Sequence, residues 1–210
     1  MSGRLPASTA ALWLALLALT IALSTLASIH DKLPGDTGTA SWLQGLPFPG
    51  ESLADTVRSI TSTQLILAAG GALALLLWLR GYRLEALVFA AALIVLPLAQ
   101  AGIKEIVDRP RPTADIVELR AAFSSASFPS GHVMSATYFY GFLLFLALSF
   151  PLPSLARTVL AAVAAAVLAL TGPANVWLGV HWPSDTLGGY AWGTLLLFPV
   201  VVACRRYRRA

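Results

Sequence analysis

Acidic and basic side chains are too scarce here to clothe a water-facing surface. Only 11% of the 210 residues are Asp, Glu, Lys or Arg, against about 25% in a typical soluble domain. That shortage excludes an ordinary soluble fold, and a mean hydropathy of +0.75 agrees. Cysteine is nearly absent too. Cys204 stands alone, so an internal disulfide and a Cys-rich zinc site are both excluded; it reads as an apolar residue near a helix end. No segment repeats, and no low-complexity tract occurs beyond the apolar runs. The formal charge of +4 does not point to nucleic acid. Arg205, Arg206, Arg208 and Arg209 directly follow an apolar stretch and read as the cytoplasmic anchor of a membrane helix.

What the chain does contain is apolar runs near the ~20 residues that span a bilayer. Six are predicted: Leu5 to Ile29, Ser59 to Leu79, Ala86 to Ile103, Gly131 to Phe150, Thr158 to Val180 (interrupted by Gly172-Pro173) and Thr186 to Cys204. Continuous apolarity over this length argues for helices rather than strands. The expected fold is therefore all-α, a six-transmembrane-helix bundle in one domain, residues 1–210. The first run follows Arg4 as a signal peptide would. Its apolar core is longer than the roughly 7–15 residues of such signals, so it reads as a retained span. Gly188, Gly189 and Gly193 suit close helix packing in the sixth span. Trp177, Trp182 and Trp192 suit packing or interfacial anchoring.

Lys and Arg set the orientation. With the N-terminus inside, the short inner segments hold Arg4, Arg80, Arg83, Arg157, Arg205, Arg206, Arg208 and Arg209, with Glu85 as their only acid. The longer outer segments hold Lys32, Arg58, Lys104, Arg109, Arg111 and Arg120 and every other acid. Both termini are thus expected in the cytoplasm. Of the outer segments, His30 to Arg58 offers Trp42 and Phe48 to the interface, and its SLADTVRSI stretch predicts an amphipathic helix lying on the membrane. In Lys104 to Phe128, TADIVELRAAF predicts another short helix with Thr113 as its cap.

Three clusters fall on that outer side, and their convergence marks a candidate site. Pro129-Ser130-Gly131-His132 precedes an apolar helix. Ser130 is a natural N-cap, Gly131 permits close backbone approach, and a helix N-terminus suits a phosphate. The alternative is a cap beside an interfacial histidine. In HWPSD, His181 and Asp185 are four residues apart. They share a helix face if the helix includes both, or Asp185 folds back from the first turn. Either way a carboxylate bonded to one ring nitrogen leaves the other as a nucleophile. The alternative is a plain helix start. In KEIVDRPRP, Lys104, Arg109 and Arg111 either snorkel to headgroups or, stiffened by the prolines, grip phosphate.

Together these segments resemble the type 2 phosphatidic acid phosphatase superfamily of lipid phosphate phosphatases, whose pattern is K-x6-RP, PSGH and SR-x5-H-x3-D. Lys104, Arg111 and Pro112 match the first part, Pro129 to His132 the second, and His181 and Asp185 the end of the third. The likeness is best from Lys104 to Gly189. It implies that His181 is the nucleophile forming a phosphohistidine, that Asp185 orients it, and that His132 protonates the leaving oxygen. Lys104, Arg111, Ser130 and the Gly131 backbone would hold the phosphoryl oxygens. It implies no metal or cofactor. The substrate would be a lipid phosphate, with membrane lipids as the surrounding partners; the compactness of the chain suggests a bacterial inner membrane, and the placement of Lys and Arg turns the site outward.

One departure stands out. The SR dipeptide of the pattern should occupy positions 174 and 175, where this chain has Ala174 and Asn175. Losing such a charge costs on the order of 3 kcal/mol, or ~10²-fold in rate, by analogy with other transition-state donors. Asn175 can offer only a neutral hydrogen bond. Arg157 lies 18 residues up the same predicted helix, about 27 Å away. Arg109 is the expected substitute, with Arg120 also on the correct side. The alternatives to hydrolysis are phosphotransfer to an alcohol and non-catalytic binding of a lipid phosphate. A transporter fits worst, because the first, second, fourth and sixth runs contain no Asp, Glu, Lys or Arg to mark a pathway.

Overall fold

A computed structural model describes residues 7–47, 50–121 and 123–208. Arg4, Leu5, Phe48, Ala122 and Arg209, which entered the sequence reading, lie outside the described residues. The helices are α1 (Ala7–Ile29), α2 (Asp36–Gln44), α3 (Glu51–Ile60), α4 (Thr63–Leu79), α5 (Arg83–Val107), α6 (Gly131–Ser149), α7 (Ser154–Trp177) and α8 (Pro183–Tyr207). No strand occurs among the described residues. Five helices, α1 and α5 to α8, are long and apolar enough to cross a membrane. Taken together, α3 and α4, bent by 48° at their junction, meet the same length and composition test and make a sixth candidate span. Thr61 closes α3 by donating its hydroxyl to the Val57 carbonyl at 2.7 Å, and Ser62 caps α4 by accepting from the Leu65 amide at 3.4 Å.

The helix α6 forms the centre of the bundle and packs on both α7 and α8. Lipid is as apolar as a leucine, so helices in a membrane associate by close fit rather than by expulsion of water. The glycines of α8 supply that fit. A Cβ on Gly189 would sit 2.8 Å from the Ser130 carbonyl and from the Val133 Cβ, and one on Gly193 2.6 Å from the Thr137 Cβ. The Phe128 ring leaves a Gly188 Cβ only 2.3 Å. Gly193→Ala is therefore expected to push α6 and α8 apart and cost about 1–3 kcal/mol. Thermal unfolding in detergent measures this, and an unchanged midpoint would show that the contact is softer than it looks. On the other side of α6, Phe89 of α5 stacks on Tyr138 and Phe142 at 5.2 and 4.3 Å, and the Tyr138 hydroxyl bonds the Phe89 carbonyl.

The Gly172-Pro173 interruption noted in the fifth run lies within α7 and does not end it. The Tyr190 hydroxyl of α8 enters the ladder there, accepting from the Gly172 amide at 3.1 Å and donating to the Leu168 carbonyl at 2.6 Å. A side chain from the neighbouring helix thus satisfies backbone groups that could find no water in lipid. The start of α1 and the end of α8 lie at one end of the bundle, where Ser8 and Thr9 share a groove with Val202 and Arg205; further along α1, Ser24 meets Trp192. At that same end the buried Glu85 accepts from Arg208 at 3.2 Å.

Two connections differ from expectation. The amphipathic stretch does form α3, but its apolar face is covered. Ala54 and Val57 are buried with Ala174, Trp177 and Leu178 of α7 and its C-terminal end, so α3 packs on protein rather than lying on the membrane. The TADIVELRAAF stretch makes a turn at Thr113 and no helix. Its later backbone groups are claimed from outside: Gln44 bonds both the amide and the carbonyl of Glu118, and the Arg120 amide donates to the Leu178 carbonyl. Gly179 makes that docking possible, with φ of 71° and room for no Cβ beside the Glu118 carbonyl. The short helix α2, absent from the sequence reading, carries Gln44 to this place.

Candidate active site

His181 lies in the tight connection between α7 and α8, one residue before the Trp182 cap of α8. Pro183 opens the helix, so His181 precedes it and Asp185 folds back from the first turn. The Asp185 carboxylate accepts from the Trp182 amide at 2.8 Å, and its Oδ2 faces His181 Nδ1 at 3.6 Å. Nδ1 has no closer partner, which leaves this pair slightly longer than a normal hydrogen bond; such contacts often tighten only when substrate is bound. The other ring nitrogen, Nε2, stands 3.5 Å from Arg111 Nη1. Burial holds the His181 pKa down at about 4, against the opposing pull of Asp185, so the ring is neutral at pH 7.

Arg111 is fixed by the connection it belongs to. Its Nε donates to the Ser125 carbonyl at 2.7 Å, its Nη1 to the Val180 carbonyl at 2.5 Å, and its Nη2 to the Ser125 hydroxyl at 3.1 Å. Burial lowers its pKa to about 10, still far above neutrality. Lys104, in the last turn of α5, donates to the Ala126 carbonyl and is close enough to Arg111 and Asp185 for their charges to act on it. His132 sits in the first turn of α6 and interacts electrostatically with His181, Arg111 and Lys104. The expected imidazoles, carboxylate and cations thus come together at one end of the bundle, opposite the chain termini.

Ser130 is the residue before α6, as expected, but its side chain caps nothing: the hydroxyl is buried without a partner. Its amide donates to the Asp185 carbonyl at 3.0 Å, tying the α6 start to the α8 start. The Gly131 carbonyl is held from α5 by Gln100 Nε2 at 3.1 Å, and Gln100 in turn bonds Thr63 and Ser135. A helix start leaves its first amides without intrahelical acceptors, and those of α6 flank His132 in its first turn.

Two expectations need correction. Arg109 does not serve as the spare phosphate ligand. It is 1% exposed, and its guanidinium is committed at 2.7 Å to each of Asp36, Ser184 and Asp185, and at 3.2 Å to the Asp31 carbonyl. It holds Asp185 in place instead. Asn175 is fully buried, and its Nδ2 donates to the Thr171 carbonyl of its own helix at 2.8 Å. A buried amide in a helix readily back-bonds in this way, so no donor is turned to the site. Nor is Arg120 available: it lies 3.6 Å over the Trp177 ring and pairs with Glu118. Trp177 and Trp182 are buried packing residues.

The sequence reading missed Asp36 and Ser127. Asp36 accepts from Arg109, from the Leu33 amide and from both the amide and hydroxyl of Ser184. Ser127 donates to Asp185. An acid opening a helix just after a Pro-Gly turn is an ordinary cap signal, and nothing in the sequence joins it to Ser184, 148 positions on.

Comparison with known proteins gives the family and the fold. The matched part of phosphatidylglycerophosphatase B of Bacillus subtilis (strain 168) is 39% identical over 99 residues, 47% of this chain and 47% of that protein. The alignment thus spans about half of the relative's length. The crystal structure of a transmembrane PAP2 type phosphatidylglycerolphosphate phosphatase from Bacillus subtilis superposes with a TM-score of 0.67 at 25% identity, covering 94% of this chain and 96% of that one. Residues 85–209, which contain every candidate catalytic residue described above, match the PAP2 superfamily. With a helical bundle, three motifs in order and one converged site, the chain belongs to the PAP2 superfamily.

Proposed function

We propose that this protein is an integral membrane lipid phosphatase acting through a phosphohistidine on His181. The observation that carries the reading is the two-sided setting of that ring, with Asp185 at Nδ1 and the fixed Arg111 guanidinium beside Nε2. In this reading Nε2 attacks phosphorus while Lys104, Arg111, the Ser130 hydroxyl and the first amides of α6, including that of Gly131, hold the non-bridging oxygens. Phosphoryl transfer asks mainly for such fixed positive groups and in-line geometry. His132 protonates the leaving lipid oxygen, then takes a proton from the water that splits the phosphohistidine and frees phosphate.

The names of the Bacillus relatives put phosphatidylglycerophosphate first among substrates, with phosphatidate and undecaprenyl diphosphate in the same chemical class. The density of Arg in the inner connections supports cytoplasmic termini and an outward-facing site in a bacterial inner membrane. An interfacial site lets the lipid chains stay in the bilayer while the headgroup reaches His181.

The test is purified protein, a panel of lipid phosphates and no added metal. Release of free phosphate is the expected result. Label passed to an added alcohol would make it a transferase, and binding without turnover would end the enzymatic reading. A second expectation concerns protonation. His181 should stay neutral from pH 7 down to about pH 5, because its folded pKa is about 4. The unfolded chain, titrating near 6.5, takes up this proton first, so the group withdraws stability as pH falls from about 6.5 towards 4. With three histidines in the chain, ¹⁵N-histidine spectra in micelles can read the ring directly; a charged His181 at pH 6 would contradict the burial argument.

A further inference from the structure

The position that should bear the third motif's arginine holds Asn175, turned back on its own helix, yet a guanidinium does stand nearby. It belongs to Arg58, in the last turn of α3. The helix α3 packs on α7 at that level: Ala54 and Val57 are buried with Ala174, Trp177 and Leu178, the neighbours of Asn175. Arg58 lies 4.3 Å over the Phe123 ring, and Arg111 lies 5.0 Å over the same ring. Arg58 also interacts electrostatically with His132. Its Nη1 is buried and has no hydrogen-bond partner.

An unpartnered guanidinium nitrogen beside a second guanidinium and an imidazole is an unfavourable arrangement in the absence of an anion. Asp55 acts on Arg58 electrostatically, but from an exposed position and without forming an ion pair with it. The arrangement makes sense when a phosphoryl group with two negative charges occupies the site. Arg suits such a group because its planar fork can bind two oxygens at once.

We propose that Arg58 is the phosphate-binding cation of this site, supplied from α3 in place of the arginine absent at position 175. The proposal rests on the phosphatase reading of the same site. It assigns α3 a task that the three motifs do not contain, and it explains how the chain can lack the motif arginine without losing the charge.

The test compares wild type with Arg58→Gln and Arg58→Lys. Arg58→Gln is expected to lower kcat/KM by about 10²-fold and to weaken product inhibition by inorganic phosphate at least tenfold. Arg58→Lys should recover part of both. A kcat/KM within twofold of wild type in Arg58→Gln, with unchanged phosphate inhibition, would overturn the assignment. Should Arg58→Gln not fold, the wild-type protein decides: saturating phosphate should protect Arg58 from phenylglyoxal, read by mass spectrometry, and undiminished labelling would overturn it. This protection does not need turnover. Loss of the phosphohistidine reading, through a His181→Ala variant that still turns over, would therefore be seen separately.

Discussion

Replacing His181 with Ala is expected to abolish phosphate release, lowering turnover by about 10⁴-fold or more, the scale on which nucleophile deletions act. The loss should leave the fold intact. His181 lies in a connection, outside α7 and α8, and its ring makes one long contact to Asp185 and one to Arg111. Removing it leaves Asp185 still bonded to Arg109, Ser127 and the Trp182 amide. A helix-supporting role would show as a lowered melting temperature, whereas the catalytic role shows as lost turnover at an unchanged one. An acid-labile phosphate on the wild-type enzyme, absent from His181→Ala, would identify the intermediate. A variant that turned over at even a tenth of the wild-type rate would remove His181 as nucleophile.

Arg109→Ala is the second large effect, and it differs in kind. The guanidinium pairs with Asp36 and Asp185, which are 2% and 0% exposed. Its removal leaves two carboxylates buried with no countercharge at that point, a cost of about 3–5 kcal/mol. The melting temperature in detergent should fall clearly, and turnover should fall even well below it, because Asp185 loses the bond that fixes its carboxylate beneath His181. Arg109→Lys should rescue poorly, since a point charge on a flexible stem cannot span both carboxylates. An unchanged melting temperature would show that the buried network contributes far less than its geometry implies.

How far the sequence could be read depended on the range of the interaction. Apolar runs are local, so the spans were legible, with the ends of α5, α7 and α8 shifted by three to four residues where capping and tertiary contacts decide. The motif residues were legible because chemistry restricts their type: Lys104, Arg111, His132, His181 and Asp185 do converge. The supporting polar groups were not. Asp36 meets Ser184, and Thr63 meets Gln100 and Ser135, only once distant segments have packed, and none of these residue types is distinctive in sequence. The choice of Arg109 as the spare cation failed for a related reason. Closeness along the chain to Arg111 suggested a shared task, but the two side chains leave the proline-stiffened segment for different neighbours. Arg58 is 53 residues from Arg111 in sequence, and only the docking of α3 onto α7 brings it over the same Phe123 ring.

The bond from Arg109 to the Asp31 carbonyl and to Asp36 ties the exit of α1 to the proposed site, which its surroundings would not suggest. Little of α1 is buried, so most of its surface faces lipid. Yet the segment that leaves it is moored through one guanidinium to the carboxylate serving His181. On the proposed reading, shortening or loosening that segment is expected to disturb Asp185, and with it His181, even though α1 itself holds none of the proposed catalytic residues.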